Sequence, residues 1–122
     1  MLMRNAIRTP DGTILESWHV HQYVTHVDAI DGLEYMVDGG LEYIRRSSHG
    51  EDLSVHYSDG HQAVREAFKW GTYGKSGRKS LKRVLIKDMD TEHLQALLDG
   101  TWSLHKRVRL SFLNELEWRN EE

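Results

Sequence analysis

Three turn signals divide the start of this 122-residue chain into runs too short for helices. They are "PDG" at 10–12, "DAIDG" at 28–32 and "DGG" at 38–40. Proline presets the backbone for a turn, aspartate hydrogen-bonds its own main chain, and glycine supplies the positive φ that other residues avoid. The segments between them therefore read as strands at hairpin spacing: "NAIRT" and "TILESW" around the first turn, "VHQYVTHV" before the second, and "LEYMV" and "LEYIRR" around the third. "SSHGED" reads as a loop and "LSVHY" as one more strand. An antiparallel meander over residues 1–58 is the expected outcome.

From residue 59 the period changes. Asp59 with Gln62 has the spacing of a capping box, and Val64, Ala67 and Phe68 follow on one helical face. "LKRVLIKDM" reads as a short strand or extended connector. Asp90 is placed to cap a helix whose apolar side is Leu94, Leu97 and Leu98 and which Gly100 stops. Ser103 is placed to cap the last helix, with Leu104, Val108, Phe112 and Glu115 on one stripe. The expected fold class is α+β: an N-terminal antiparallel sheet followed by C-terminal helices, as one domain over 1–122, mainly sheet over 1–58 and mainly helical over 59–122.

Cysteine is absent, which excludes disulfides, thiolate metal sites and cysteine nucleophiles. There is no apolar run of membrane-spanning length, and "MLMRNAIRTPDG" lacks the apolar core of a signal peptide, so no membrane partner is expected. The net charge of −3 argues against a general nucleic-acid binder. Charge is unevenly placed, however. Residues 1–60 hold 4 Lys/Arg against 10 Asp/Glu, residues 61–122 hold 12 against 9, and Lys69 to Lys87 contains seven cations and no acid. A bounded anion suits such a stretch better than a long polyanion, and the plainer reading is a solvated lysine-rich loop.

Within that stretch "GKS" at 74–76 has the ending of a phosphate-binding loop. A P-loop needs four residues between its two glycines, whereas Gly71 and Gly74 have two, and a helical pattern rather than a strand precedes them. It is not a Walker loop. Phe68, Trp70 and Tyr73 nevertheless alternate with Lys69, Lys75, Arg78 and Lys79. Rings stack on bases, cations hold phosphates, and glycine lets a backbone approach a ligand. In the last helix, Lys106, Arg107 and Arg109 precede Glu115, Glu117, Glu121 and Glu122, an order that opposes the helix dipole and offers those bases to an anion or to acidic neighbours.

Other chemistry has less support. His19 and His21, two apart on an expected strand, point the same way as a metal pair would, but His26 has the opposite parity, so no metal site is assigned. No serine sits in a nucleophile elbow, and Asp11, Asp28, Asp31 and Asp38 all fall at turns, where aspartate has local reasons to be. No catalytic residue and no cofactor are expected. These residues alone read as a small-anion or nucleotide binder.

Several stretches, "RNAIRTPDGTILES" (4–17), "YMVDGGLEYIRR" (35–46), "REAFKWGTYGKSG" (65–77), "KDM" (87–89) and "NELEWR" (114–119), taken in order, resemble the phage Thoeris anti-defence family of the first-described type. A wider set sharing the N-terminal pattern includes members with cysteine pairs at the two hairpin turns. This chain has "TPDG" and "HVDAIDG" there, so a zinc knuckle is missing. The resemblance implies a sponge, not an enzyme: a protein in the cytoplasm of the infected bacterial host that binds cyclic ADP-ribose isomers made by TIR proteins, without cleaving them, and so withholds them from the Thoeris effector. It also implies assembly as a dimer or trimer of dimers with the ligand where protomers meet, and in some members a separate site for cyclic di- or trinucleotides. The ligand-binding candidates are Phe68, Trp70, Gly71, Thr72, Tyr73, Lys75, Lys106, Arg107 and Arg109, with Trp70 or Tyr73 stacking and Lys75 or Arg109 on phosphate. Arg45 and Arg46 are the candidates for the second site. The rival readings are an oligonucleotide- or RNA-binding module, a hydrolase of the same signal, and a purely structural phage protein.

Overall fold

The structure, a computed structural model, describes residues 1–72, 81–100 and 103–121. Contacts divide the chain into two compact units, Met1–Ser58 and Asp59–Glu122. All the sheets are antiparallel, and the two longer helices come at the C-terminal end, giving the α+β class.

The first unit contains β1 (Leu2–Arg4), β2 (Ala6–Arg8), β3 (Ile14–Glu16), β4 (Val24–Val27), β5 (Glu34–Asp38), β6 (Arg45–Arg46), β7 (Glu51–Asp52) and β8 (Val55–His56). β4, β5 and β6 form a meander, in that order. The other pairings return along the chain: β2 lies between β3 and β7, and β1 pairs with β8. Two of these strands, β1 and β7, lie in segments whose composition gave no strand signal. β4 is also shorter than its alternating run, because residues 19–21 turn before it begins. Ile7, Leu15, Tyr35 and Val37 are buried together, with Val24 packed against them. Strand alternation explains the set, since Ile7 faces Leu15 across the first hairpin and Val37 faces Val24 across the second.

The "DGG" turn is where distant parts of this unit touch. Gly39 and Gly40 have φ of 97° and 56°, in the region that favours glycine. A Cβ on Gly40 would lie 2.3 Å from the His19 carbonyl carbon, so no side chain fits. The Gly40 amide donates to Ser17 Oγ at 2.7 Å, and its carbonyl accepts from Asn5 Nδ2 at 2.8 Å. Asn5 and Ser17 are both fully buried. The Gly40 backbone thus supplies one partner to each of two buried polar side chains, beside the Asp38 carbonyl for Asn5 Nδ2 and the Gln22 carbonyl for Ser17 Oγ.

The second unit contains α1 (His61–Ala67), β9 (Lys69–Thr72), β10 (Lys82–Leu85), α2 (Thr91–Gly100) and α3 (Lys106–Asn120). Its core is Val64, Ala67, Phe68, Ile86, Met89, Leu94, Val108 and Phe112. Two helix starts differ from expectation. Gly60, not Asp59, is the N-cap of α1, and it makes no side-chain cap. His105, not Ser103, caps α3, its Nδ1 accepting from the Arg107 amide at 3.1 Å. The α3 stripe carries Val108, Phe112 and Glu115 as expected, all buried, with Ser111 beside them.

Candidate functional site

The residues expected to face a ligand begin on a hairpin rather than a glycine loop. β9 and β10 pair Lys69 with Leu85, Trp70 with Val84, Gly71 with Arg83 and Thr72 with Lys82. Phe68, just before β9, is 3% exposed and belongs to the core, so its ring is not available to stack on a base. Trp70 is half-buried and meets Phe112 edge-on, with ring centroids 5.4 Å apart and planes at 82°. Such an edge-to-face contact anchors one side of the indole to α3. Gly71 is exposed and Thr72 half-buried. Tyr73 and Lys75 lie outside the described residues.

On α3, Lys106 and Arg107 are exposed near the helix start. Arg109 is half-buried, and its Nη1 donates to the Leu98 carbonyl at 3.0 Å. That carbonyl is one of the last in α2, which lacks intrahelical donors, so Arg109 closes the end of α2. Its order against the helix dipole thus has a structural reason. Phe112, the partner of Trp70, lies one turn beyond Arg109, so the hairpin and the basic start of α3 meet at neighbouring positions on this helix.

The second-site candidates also have acidic partners. Arg45 Nε lies 3.6 Å from Asp38 Oδ2, and Arg46 Nη1 lies 2.6 Å from Asp52 Oδ1. Arg45 is largely exposed, and exposed pairs of this kind contribute roughly 0–1 kcal/mol, so the guanidinium exchanges partners at small cost.

The histidine pair dissolves, because His19 and His21 sit on the bend and turn before β4 and share no strand face. His26 instead joins Asp11 and Asp28, whose ligand-type atoms all lie within 4.8 Å of one another. The carboxylates there are already engaged. Asp11 Oδ1 accepts from Thr9 Oγ1 and the Thr13 amide, and its Oδ2 from His26 and the Ala29 amide, at 2.7–2.9 Å. Asp28 Oδ1 accepts from the Asp11 amide, and its Oδ2 from the Ile30 and Asp31 amides. Hydrogen bonds from Thr13, Ala29, His26 and Thr9 hold the Asp11 carboxyl far below the usual carboxylate range, against burial. The group latches the first turn to the second, which explains two of the four turn aspartates as structural.

The most strongly organised charge in the second unit was not legible as such. Glu115 is fully buried on α3. Arg65 donates to it twice, Nε to Oε1 at 2.8 Å and Nη2 to Oε2 at 3.0 Å. Arg119 Nε donates to Oε2 at 2.8 Å, and His61 Nε2 lies 3.0 Å from Oε1. Arg119 also donates to Thr91 Oγ1 and to the Ile86 carbonyl. Burial pushes the Glu115 carboxyl up, but hydrogen bonds from Arg65, Arg119 and His61 outweigh it and hold the group at about 2. Spacing had put Glu115 on the apolar stripe, while its partners lie up to 54 positions away.

Among the described residues no helix is long and apolar enough to cross a membrane. Set against family models, curated proteins and solved structures, the chain matches none.

Proposed function

We propose that this chain is a sponge: it binds cyclic ADP-ribose isomers in the cytoplasm of an infected bacterium, holds them uncleaved, and so prevents activation of the Thoeris effector. One observation carries the reading, the in-order resemblance through five stretches that span nearly the whole chain, centred on "VDGGLEYIRR". The sheet-then-helix order agrees with it.

The chemistry is of the right kind. A pyrophosphate needs cations, and seven are concentrated between Lys69 and Lys87 with no acid among them. An adenine needs a ring, and Trp70 stands on that hairpin with one side anchored by Phe112. Lys106 and Arg107, both exposed at the start of α3, are the helix bases this reading assigns to phosphate, since the Arg109 guanidinium donates to the Leu98 carbonyl. The reading includes a homo-oligomer with the ligand where protomers meet, and a separate cyclic-oligonucleotide site at Arg45 and Arg46.

The test is isothermal titration of the purified protein with each cyclic ADP-ribose isomer, repeated on Lys106→Ala and Lys75→Ala after circular dichroism has shown both to be folded. Tight binding of one isomer is expected, weakened about tenfold or more in each variant, the worth of a charge-assisted hydrogen bond. Binding unchanged within twofold in both variants would refute the site. No binding of any isomer, with retention of linear RNA that falls steeply with salt, would replace the reading by an oligonucleotide module.

A further inference from the structure

β4 lies at the edge of its sheet, whose order is β4, β5, β6, so β5 pairs with one side of it only. The ladder fixes which backbone groups face the other way. Met36, opposite Thr25, donates its amide to Ser47 Oγ and accepts from the Ser47 amide, on the β6 side. Thr25 therefore points its own N–H and C=O away from β5. At the far end the Asp28 amide donates to the Leu33 carbonyl, which turns Val27 outward as well. By the same two-residue period Tyr23, just before the strand, is the third outward position. Among the described residues none of these three has a backbone partner on that side.

The side chains along the edge face solvent too. Tyr23, Thr25 and Val27 share one face and are all exposed, Tyr23 at 53% and Val27 at 63%. Natural sheets blunt their edges with lysine, proline, inward-pointing charge or a bulge. Residues 23–27 contain no lysine and no proline, and β4 pairs with β5 without a shift in register. The flanking turns add two more exposed apolar side chains, Val20 before the strand and Ile30 after it.

This edge is complementary to itself. Laid antiparallel against a second copy about a two-fold axis at Thr25, it sets Thr25 opposite Thr25 and, on each side of the axis, Tyr23 opposite Val27. Threonine–threonine and aromatic–β-branched pairs are among the favourable cross-strand pairs. All three positions point their backbone groups outward, so they fall on the hydrogen-bonded rungs of the new ladder. On the opposite face Val24 meets His26, whose ring Asp11 holds. The same operation brings Ile30 of one copy to the end of the seam where Val20 of the second copy lies. A strand from an unrelated protein would satisfy the backbone groups but not this two-fold match of side chains.

We propose that β4 is a homodimer seam: two copies pair antiparallel through Tyr23, Thr25 and Val27, and their three-stranded sheets become one continuous sheet. The contact is isologous and closed, so it consumes both free edges and leaves neither to recruit further strands. It gives a defined interface to the homo-oligomer of the sponge reading, yet it rests on the edge alone and holds whether or not the chain binds a cyclic nucleotide.

The test uses the full chain, with copies counted by native mass spectrometry and sedimentation equilibrium and folding checked by circular dichroism. Thr25→Lys and Thr25→Glu are exposed substitutions whose charges meet themselves at the axis, so each should weaken self-association about tenfold or more. Mixing the two variants should restore it as a mixed dimer. A second measurement leaves the seam uncharged. The chain has no cysteine, so Thr25→Cys carries a unique thiol, and hydrogen-bonded rungs set opposed Cα atoms about 5.5 Å apart, within disulfide reach. Under mild oxidation it should cross-link about tenfold faster or more than Glu34→Cys, an exposed position on β5. The proposal is overturned by a wild type that is monomeric at micromolar concentration, by folded charge variants that assemble as the wild type does or fail to pair when mixed, or by a Thr25→Cys thiol that links no faster than the control. A dimer that passes these tests but binds no cyclic ADP-ribose isomer would support the seam and count against the sponge reading alone.

Discussion

Glu115→Gln removes one charge from the centre of the second unit while keeping shape and volume. In the native cluster two guanidiniums and an imidazole converge on a carboxylate that has no exposure to solvent. With glutamine there, Arg65 and Arg119 keep most of their burial, at 17% and 22% exposure, and lose the Glu115 charge. Breaking a buried pair in this way costs about 3–5 kcal/mol. Linkage gives a similar figure. The Glu115 carboxyl titrates near 4.5 when unfolded and is held at about 2 when folded, a difference that corresponds to about 3 kcal/mol. The sign follows from the depressed value: the stabilisation is fully present above pH 4.5 and is lost as pH falls towards 2. Urea unfolding followed by tryptophan fluorescence, run at intervals from pH 7 to pH 2, measures both quantities. At pH 7 the variant should unfold at a urea midpoint lower by roughly 1–3 M. Its stability should also fall less than that of the wild type between pH 5 and pH 2. A variant within about 0.5 kcal/mol of wild type at pH 7, the range of an ordinary surface substitution, would refute this account of the cluster, as would an unchanged acid slope.

Gly40→Ala should be far more destabilising than Gly12→Ala in thermal denaturation. Both have positive φ, which costs a non-glycine residue about 1–2 kcal/mol, but a methyl at Gly40 would also strike the His19 backbone, whereas nothing lies within 4 Å at Gly12. Tyr35 donates its hydroxyl to Asp31, and that bond, with burial and the Asp31 and Asp28 charges, raises the phenol to about 12. A raised phenol stabilises the fold below pH 10 and loses that contribution as pH rises through 12, so ultraviolet titration should show a tyrosinate step near 12 that Tyr35→Phe lacks. Asp11→Asn retains a hydrogen-bonding side chain but loses its charge and one acceptor. It should cost about 1–3 kcal/mol, read as accelerated hydrogen exchange at the Ala29 and Thr13 amides.

Local chemistry carried most of what the sequence revealed. The turn at "PDG", the two strands on either side of it and the helical stripe through Val108 and Phe112 follow from residue type and period, and the structure has them. What stayed hidden depends on partners far along the chain. β7 is two residues long and is defined by its pairing with β2. Gly40 reads as a turn glycine, but its closest constraint is His19, 21 positions earlier. Glu115 reads as a member of the apolar stripe, and its partner Arg65 lies fifty residues earlier, beyond the reach of spacing. The same logic separates the site candidates: Phe68 had the right residue type for stacking, and only the fold reveals that its ring is used up in the core.

The sponge reading is tested most directly by recovering the ligand. The protein is saturated with the cyclic ADP-ribose isomer it binds, washed free of excess, heated to denature it, and the released small molecule is run by chromatography and mass spectrometry. The account predicts stoichiometric return of the intact cyclic isomer, however long the complex has stood. Release of a linear or hydrolysed product would contradict it and identify an enzyme acting on the same signal, and release of no ligand would leave the resemblance in sequence without the function it implies.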